Sequence, residues 1–203
     1  MVHNASVAHY NERATLPQGN RMLDAHSALK DDLMKPACWG LAIARGQARH
    51  LLAQQDRRRI ARQLVQALST KDPEQRVRAA DVARRITEKD DAFLTAHAAE
   101  LAVILAEIPI SESRTRWHLG LVVARSVRTP SHIRLAAEVL WQLSEDKSNV
   151  VRASAVEGLG LLARRDPALR NSVEPFLQQA LITGTPAMRV RARNALCWLR
   201  SSQ

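Results

Sequence analysis

Val151, Ala155, Leu159 and Leu162 recur at steps of four, four and three residues, the apolar stripe of one α-helix face. Ser148 precedes the stripe, and its hydroxyl is suited to accept from the free N–H groups of a first helical turn. Arg152 stands at the stripe's edge, and Ala155, Gly158 and Gly160 are small enough to let a neighbouring helix approach closely. The same layout occurs three more times. Upstream, Ser111 is followed by Arg114, Trp117, Leu121 and Ala124, and Asp72-Pro73 by Arg76, Ala79, Ala83 and Ile86. Downstream, Thr185-Pro186 leads to Met188, Arg189, Ala192, Leu196 and Leu199. The arginines at 76, 114, 152 and 189 are spaced 38, 38 and 37 residues apart, a period that predicts a solenoid of helix pairs. A fainter copy begins at Lys35-Pro36, with Trp39 in the arginine's place.

The stretch Val151-Arg152-Ala153-Ser154-Ala155-Val156-Glu157-Gly158-Leu159 resembles the second helix of the HEAT-repeat superfamily, which reads roughly V-R-x-x-A-x-x-x-L. The other copies depart from it: Gln75, Ser113 and Met188 replace the valine, Trp117 the alanine and Ala83 the leucine. The resemblance covers approximately residues 20–200. It implies an all-α, right-handed α-α superhelix of about five helix pairs, and it says little about function because the fold hosts many roles.

Between the stripes the pattern predicts the partner helices. Residues 1–18 lack helical periodicity and are expected to form a mobile arm, leaving 19–203 as one solenoid domain. Met22, Leu23, His26, Leu29 and Leu33 mark a helix over 21–34, and Pro36 opens another that runs to about Gln54. Asp56 caps a third, with Ile60, Leu64, Ala67 and Leu68 inward and Arg58, Arg59 and Arg62 outward. Asp90-Asp91 begins the next pair, with Phe93, Leu94, Leu101, Leu105 and Ile108 on its core side, and Pro109 ends its first helix. Thr129-Pro130 and Asp166-Pro167 open helices over 130–144 and 167–183, the second with a kink or break expected at Pro175. Connections of two to five residues make successive helices antiparallel.

Composition changes this picture little. Aromatics are 3% of the 203 residues, and the Leu- and Ala-rich apolar set suits close-packed helices. No apolar run is long enough to span a bilayer, and the first residues lack the apolar stretch of a secretory signal, so a cytoplasmic protein is expected. Stacked repeats of roughly 10 Å each would hold Cys38 and Cys197 about 40 Å apart. That is too far for a disulfide, whose Cα atoms lie within about 7 Å, so both are expected to be small buried residues.

Charge adds more. The formal net charge is +10, and 25 of the 30 basic residues are arginine. Residues 45–62 carry Arg45, Arg49, Arg57, Arg58, Arg59 and Arg62 against Asp56 alone, a net +5. Residues 86–112 reverse this, with Glu88, Asp90, Asp91, Glu100, Glu107 and Glu112 against Lys89, a net −5.

Three function classes follow. In helical projection, the arginines at 76, 114, 152 and 189 fall on the flank where repeats meet, so they are expected to bridge carboxylates or turn carbonyls. The same projection directs Val77, Asp81, Arg84, Thr115, Val122, Ala153, Glu157 and Asn194 to the concave face. Mixed in character, that face fits a non-enzymatic scaffold that binds a protein or peptide partner. The alternative is a nucleic-acid-binding solenoid using the patch of Arg45, Arg49, Arg57, Arg58, Arg59 and Arg62. The third class comes from the resemblance: some HEAT-like proteins are glycosylases of alkylated DNA bases, using tryptophans beside an acid and an arginine. Trp39, Trp117, Trp141 and Trp198 raise that class, but no acid aligns with the pattern. No Gly-rich phosphate loop and no Cys or His pair at metal-ligand spacing is present, so neither cofactor nor metal is expected. His97 and His118 are expected to be packed or surface residues.

Overall fold

The computed structural model describes residues 41–201, which form nine α-helices and no strand. In chain order they are α1 (Leu41–Ala53), α2 (Arg57–Leu68), α3 (Pro73–Lys89), α4 (Ala98–Glu107), α5 (Ser113–Ser126), α6 (Pro130–Ser144), α7 (Asn149–Arg165), α8 (Arg170–Thr183) and α9 (Pro186–Arg200). The expected arm over 1–18, the helix over 21–34, and Pro36, Cys38 and Trp39 lie outside the described residues.

The caps follow the short polar side chains. Asp56, Asp72, Thr129 and Thr185 each accept a backbone N–H of the turn they open, and Pro73, Pro130 and Pro186 follow in the first turn, where a missing N–H costs nothing. Ser148 departs from expectation. It occupies the cap of α7 without a side-chain bond, and its own N–H donates to Asp146 Oδ1 at 2.7 Å. The helix after Pro109 starts at Ser113, behind Glu112, rather than at Ser111. Before α4 the chain makes turns and a 3-10 helix over Thr95–His97, so Phe93 and Leu94 are buried from irregular backbone. No break falls at Pro175. The helix α8 runs through it, and the irregularity lies ahead, in the 3-10 turn Pro167–Leu169.

The packing is of two kinds. Helices α1, α3, α5, α7 and α9 contact one another in that order, and α2, α4, α6 and α8 each pack on the next helix of that row. One apolar cluster joins them from Ala48 of α1 to Leu199 of α9. Ile60, Ile86 and the leucines at 64, 68, 94, 101, 105, 119, 140, 143 and 159 are its largest fully buried side chains. Where large residues would hold helices apart, small ones take over. A Cβ on Gly158 would come within 2.9 Å of Leu140 and 3.3 Å of Ala124, so α7 approaches α6 and α5 there at van der Waals limits.

Candidate functional site

Charged residues line the seams between the row helices and pair there. On α3, Asp81 sits one turn before Arg84 and Arg85, the i,i+3 and i,i+4 positions of one face. Arg85 pairs with Asp81, its Nε 3.0 Å from Oδ1 and its Nη2 donating to Oδ2 at 3.5 Å, and Arg84 Nη2 is 3.6 Å from Oδ1. Arg84 Nε donates to His118 Nδ1 on α5 at 3.1 Å, which makes that nitrogen the acceptor and puts the imidazole proton on Nε2. Trp117 stacks on His118 with ring centroids 4.2 Å apart, and Arg84 lies 5.9 Å over Trp117. Burial, with Arg84, Arg114 and Arg85 opposing the ring's charge against Asp81, pushes the His118 pKa down to about 4. The imidazole is therefore neutral at physiological pH. Burial also lowers the Arg84 pKa.

Further along, Glu157 of α7 is held from two sides. Arg125 Nη2 of α5 donates to Oε1 at 3.1 Å, and Arg191 Nε of α9 donates to Oε2 at 3.2 Å. Arg125 also reaches back to the Arg84 carbonyl at 3.4 Å. A carboxylate with an arginine on each oxygen ties three helices together.

Four of the eight residues projected onto a concave face are not on a surface at all. Asp81, Thr115, Val122 and Ala153 are buried, Val122 completely, and this corrects the expectation that a partner meets them. The reason is that α3, α5 and α7 pack side by side, so positions flanking the apolar stripe are covered by the next helix of the row. Arg84 and Glu157 are partly buried and engaged in the pairs above, and Val77 is half-buried. Only Asn194 stands fully exposed.

The periodic arginines divide. Arg76 bridges repeats as expected: its Nε donates to Glu112 Oε2 at 2.9 Å, a second nitrogen pairs with Glu112 Oε1, and a third donates to the Thr70 carbonyl. Among the described residues Arg114 and Arg189 are exposed and bridge nothing, and Arg152 bonds only Asn149 on its own helix, so the bridging reading fails there at those three. Other arginines form the remaining cross-ties: Arg116 to Asp146, and Arg125 and Arg191 to Glu157. These pairs are separated by 30 to 36 residues along the chain, so an acid about one repeat from an arginine is the signal that locates them.

The basic patch of α1 and α2 is exposed at Arg45, Arg49, Arg57, Arg58, Arg59 and Arg62. Arg57 turns inward from it, pairs with Asp90 and lies 4.8 Å over the Phe93 ring, and its hydrogen bond lowers the Asp90 pKa. Arg59 pairs with Asp56 at 3.4 Å. Arg45, Arg49, Arg58 and Arg62 have no carboxylate partner among the described residues. The acidic stretch, by contrast, is largely neutralised. Asp91 accepts from Arg165 at 2.9 Å and forms an ion pair with Arg128 at 2.8 Å, beside an open cleft lined also by Glu88, Arg125, Leu161 and Arg164.

Trp117, Trp141 and Trp198 serve packing. Trp141 meets Phe176 edge-on with centroids 4.9 Å apart, and Trp198, like Trp117 and Trp141, is partly buried against the core. Cys197 is exposed, not buried as expected, because α9 has no further row helix over that face among the described residues. Among the described residues no cluster of three or more His, Cys, Asp or Glu is disposed to hold a metal ion, and no helix is long and apolar enough to cross a membrane. No protein-family model, curated protein or solved structure matches the chain.

Proposed function

We propose that this chain is a HEAT-like helical scaffold that grips the phosphate backbone of a nucleic acid through the arginines of α1 and α2. The architectural part rests on the row α1–α3–α5–α7–α9, whose members from α3 onward carry the repeated pattern at 37- to 38-residue spacing. The functional part rests on one observation: Arg45, Arg49, Arg58 and Arg62 are exposed without a carboxylate partner among the described residues, whereas most of the face expected to take a protein partner is buried or paired.

Each pair is four residues apart, about 6 Å along its helix, comparable with the separation of neighbouring phosphates on an extended strand. Guanidinium groups suit such oxygens through their planar fork of donors. With Trp117, Trp141 and Trp198 packed against the core, the contact reads charge rather than base edges, so binding is sequence-independent. Fluorescence anisotropy with a labelled oligonucleotide tests this. Four phosphate contacts give a log–log salt slope of about −3 to −4, and reversal of Arg45, Arg49, Arg58 and Arg62 to glutamate abolishes binding. Absence of binding at low salt, or binding untouched by the reversal, overturns the proposal. Preferential capture of an acidic polypeptide in the same assay assigns the patch to a protein partner instead.

A further inference from the structure

At the opposite end of the molecule, a second feature points to a small ligand. An open pocket of about 270 Å³ lies where the C-terminal end of α6 and the first turns of α7 meet the α8–α9 connection. Its lining divides by chemistry. Phe176, Ala180 and Met188 make an apolar wall; Arg152 supplies a cation, Glu145 an anion, and Gln179 and Thr183 neutral polar groups.

Arg152 is the reason to regard this as a site. Its guanidinium makes a single hydrogen bond, from Nη2 to Asn149 Oδ1. Nε is occluded from solvent without a partner, and Nη1 makes no hydrogen bond. Partly buried arginines elsewhere in the seams are met by carboxylates or carbonyls: Arg76 by Glu112, Arg116 by Asp146, Arg125 by Glu157. Arg152 lines the pocket with Glu145, yet no ion pair joins them. A partly desolvated guanidinium with one neutral acceptor lacks the anion its donors are shaped to take.

We infer that this pocket binds a monocarboxylate bearing a short apolar tail, with the carboxylate on the Nη edge of Arg152 and the tail against Phe176 and Met188. Arg152 and Glu145 leave the lining formally neutral, so a single carboxylate held against the guanidinium meets less repulsion from Glu145 than a phosphate dianion, which also meets an apolar wall it cannot use. The volume of about 270 Å³ suits a small ligand of this kind. The same chemistry occurs in a free branched-chain acid and in the C-terminal residue of a polypeptide, such as a terminal leucine.

The test is isothermal titration of the full chain with 4-methylpentanoate, with acetyl-Ala-Leu bearing a free C-terminus, with its C-terminal amide, and with inorganic phosphate. Saturable binding of a carboxylate probe is expected, with no response to the amide or to phosphate. Tighter binding of the peptide than of the free acid identifies a polypeptide terminus as the source, and the reverse order a small metabolite. Arg152→Gln weakens binding at least about tenfold, the loss of one charged hydrogen bond. Gln179→Trp, an exposed position on the wall, fills the pocket and blocks binding while circular dichroism stays native. Failure of both carboxylates to bind at millimolar concentration overturns the inference. So does equal binding of phosphate, or binding that survives both variants.

Discussion

Gly160 of α7 lies directly beneath Ala195 of α9: a Cβ added at Gly160 would stand 2.4 Å from the Ala195 Cβ. The two helices therefore touch at a point where neither can carry more than it does. Gly160→Ala is expected to destabilise the fold by about 1–3 kcal/mol, the range for overpacking a tight core. The double variant Gly160→Ala/Ala195→Gly should recover much of the loss. Thermal unfolding of the three proteins decides it; a single variant that melts like the parent would mean the helices separate without cost.

Arg76 and Arg114 occupy equivalent positions one repeat apart and have different fates. Removing the Arg76 side chain leaves the largely buried Glu112 carboxylate without its bidentate partner. Arg76→Ala is expected to cost about 3 kcal/mol, and Arg114→Ala or Arg189→Ala to stay within about 0.5 kcal/mol. Equal effects at all three positions in urea denaturation would restore the view that the periodic arginines form one bridging set.

His118 makes stability depend on pH in a definite direction. Its pKa falls from 6.5 to about 4 on folding, so between those values the unfolded chain binds the extra proton. Stability is complete above about pH 6.5 and declines as pH falls toward 4, at no more than about 1.4 kcal/mol per pH unit. His118→Gln, which keeps a hydrogen-bonding side chain that does not titrate, should flatten the decline between pH 6.5 and 5. An unchanged pH profile in the variant would move the effect to another group.

Val122→Arg and Ala153→Arg place a charge where no solvent reaches. Each is expected to cost several kcal/mol, because the guanidinium must be buried unpaired or the helices forced apart. Native circular dichroism with an undiminished melting temperature in either variant would return these residues to an accessible face.

Those two positions also show where reading the sequence reaches its limit. The stripe of Val151, Ala155, Leu159 and Leu162 is legible because burial against the core imposes the helical period on the chain itself. Caps at Asp56, Asp72, Thr129 and Thr185 are legible because a local bond makes them. What flanks the stripe depends on the next helix of the row, which a projection of one helix does not contain. Val122 and Ala153 were therefore assigned to a surface they do not reach, and Cys197 to an interior it does not enter. The patch at Arg58 and Arg62 was recoverable because four arginines in six residues exceed what one buried face can hide. The unpaired state of Arg152 was not, since the missing partner is a matter of where Glu145 points.

Asp91 has a consequence of its own. It joins Arg165 across 74 residues of chain and also holds Arg128, just past the end of α5, while Arg165 donates to the Ala124 carbonyl of α5. One carboxylate beyond α3 therefore ties the C-terminal ends of α3, α5 and α7, and such a tie opposes their splaying as a strut stiffens a frame. The Asp91 carboxylate is about half exposed, however, so mobile ions reach it. Added salt is therefore expected to loosen this tie, so the three helix ends are held more firmly in dilute buffer than in concentrated salt.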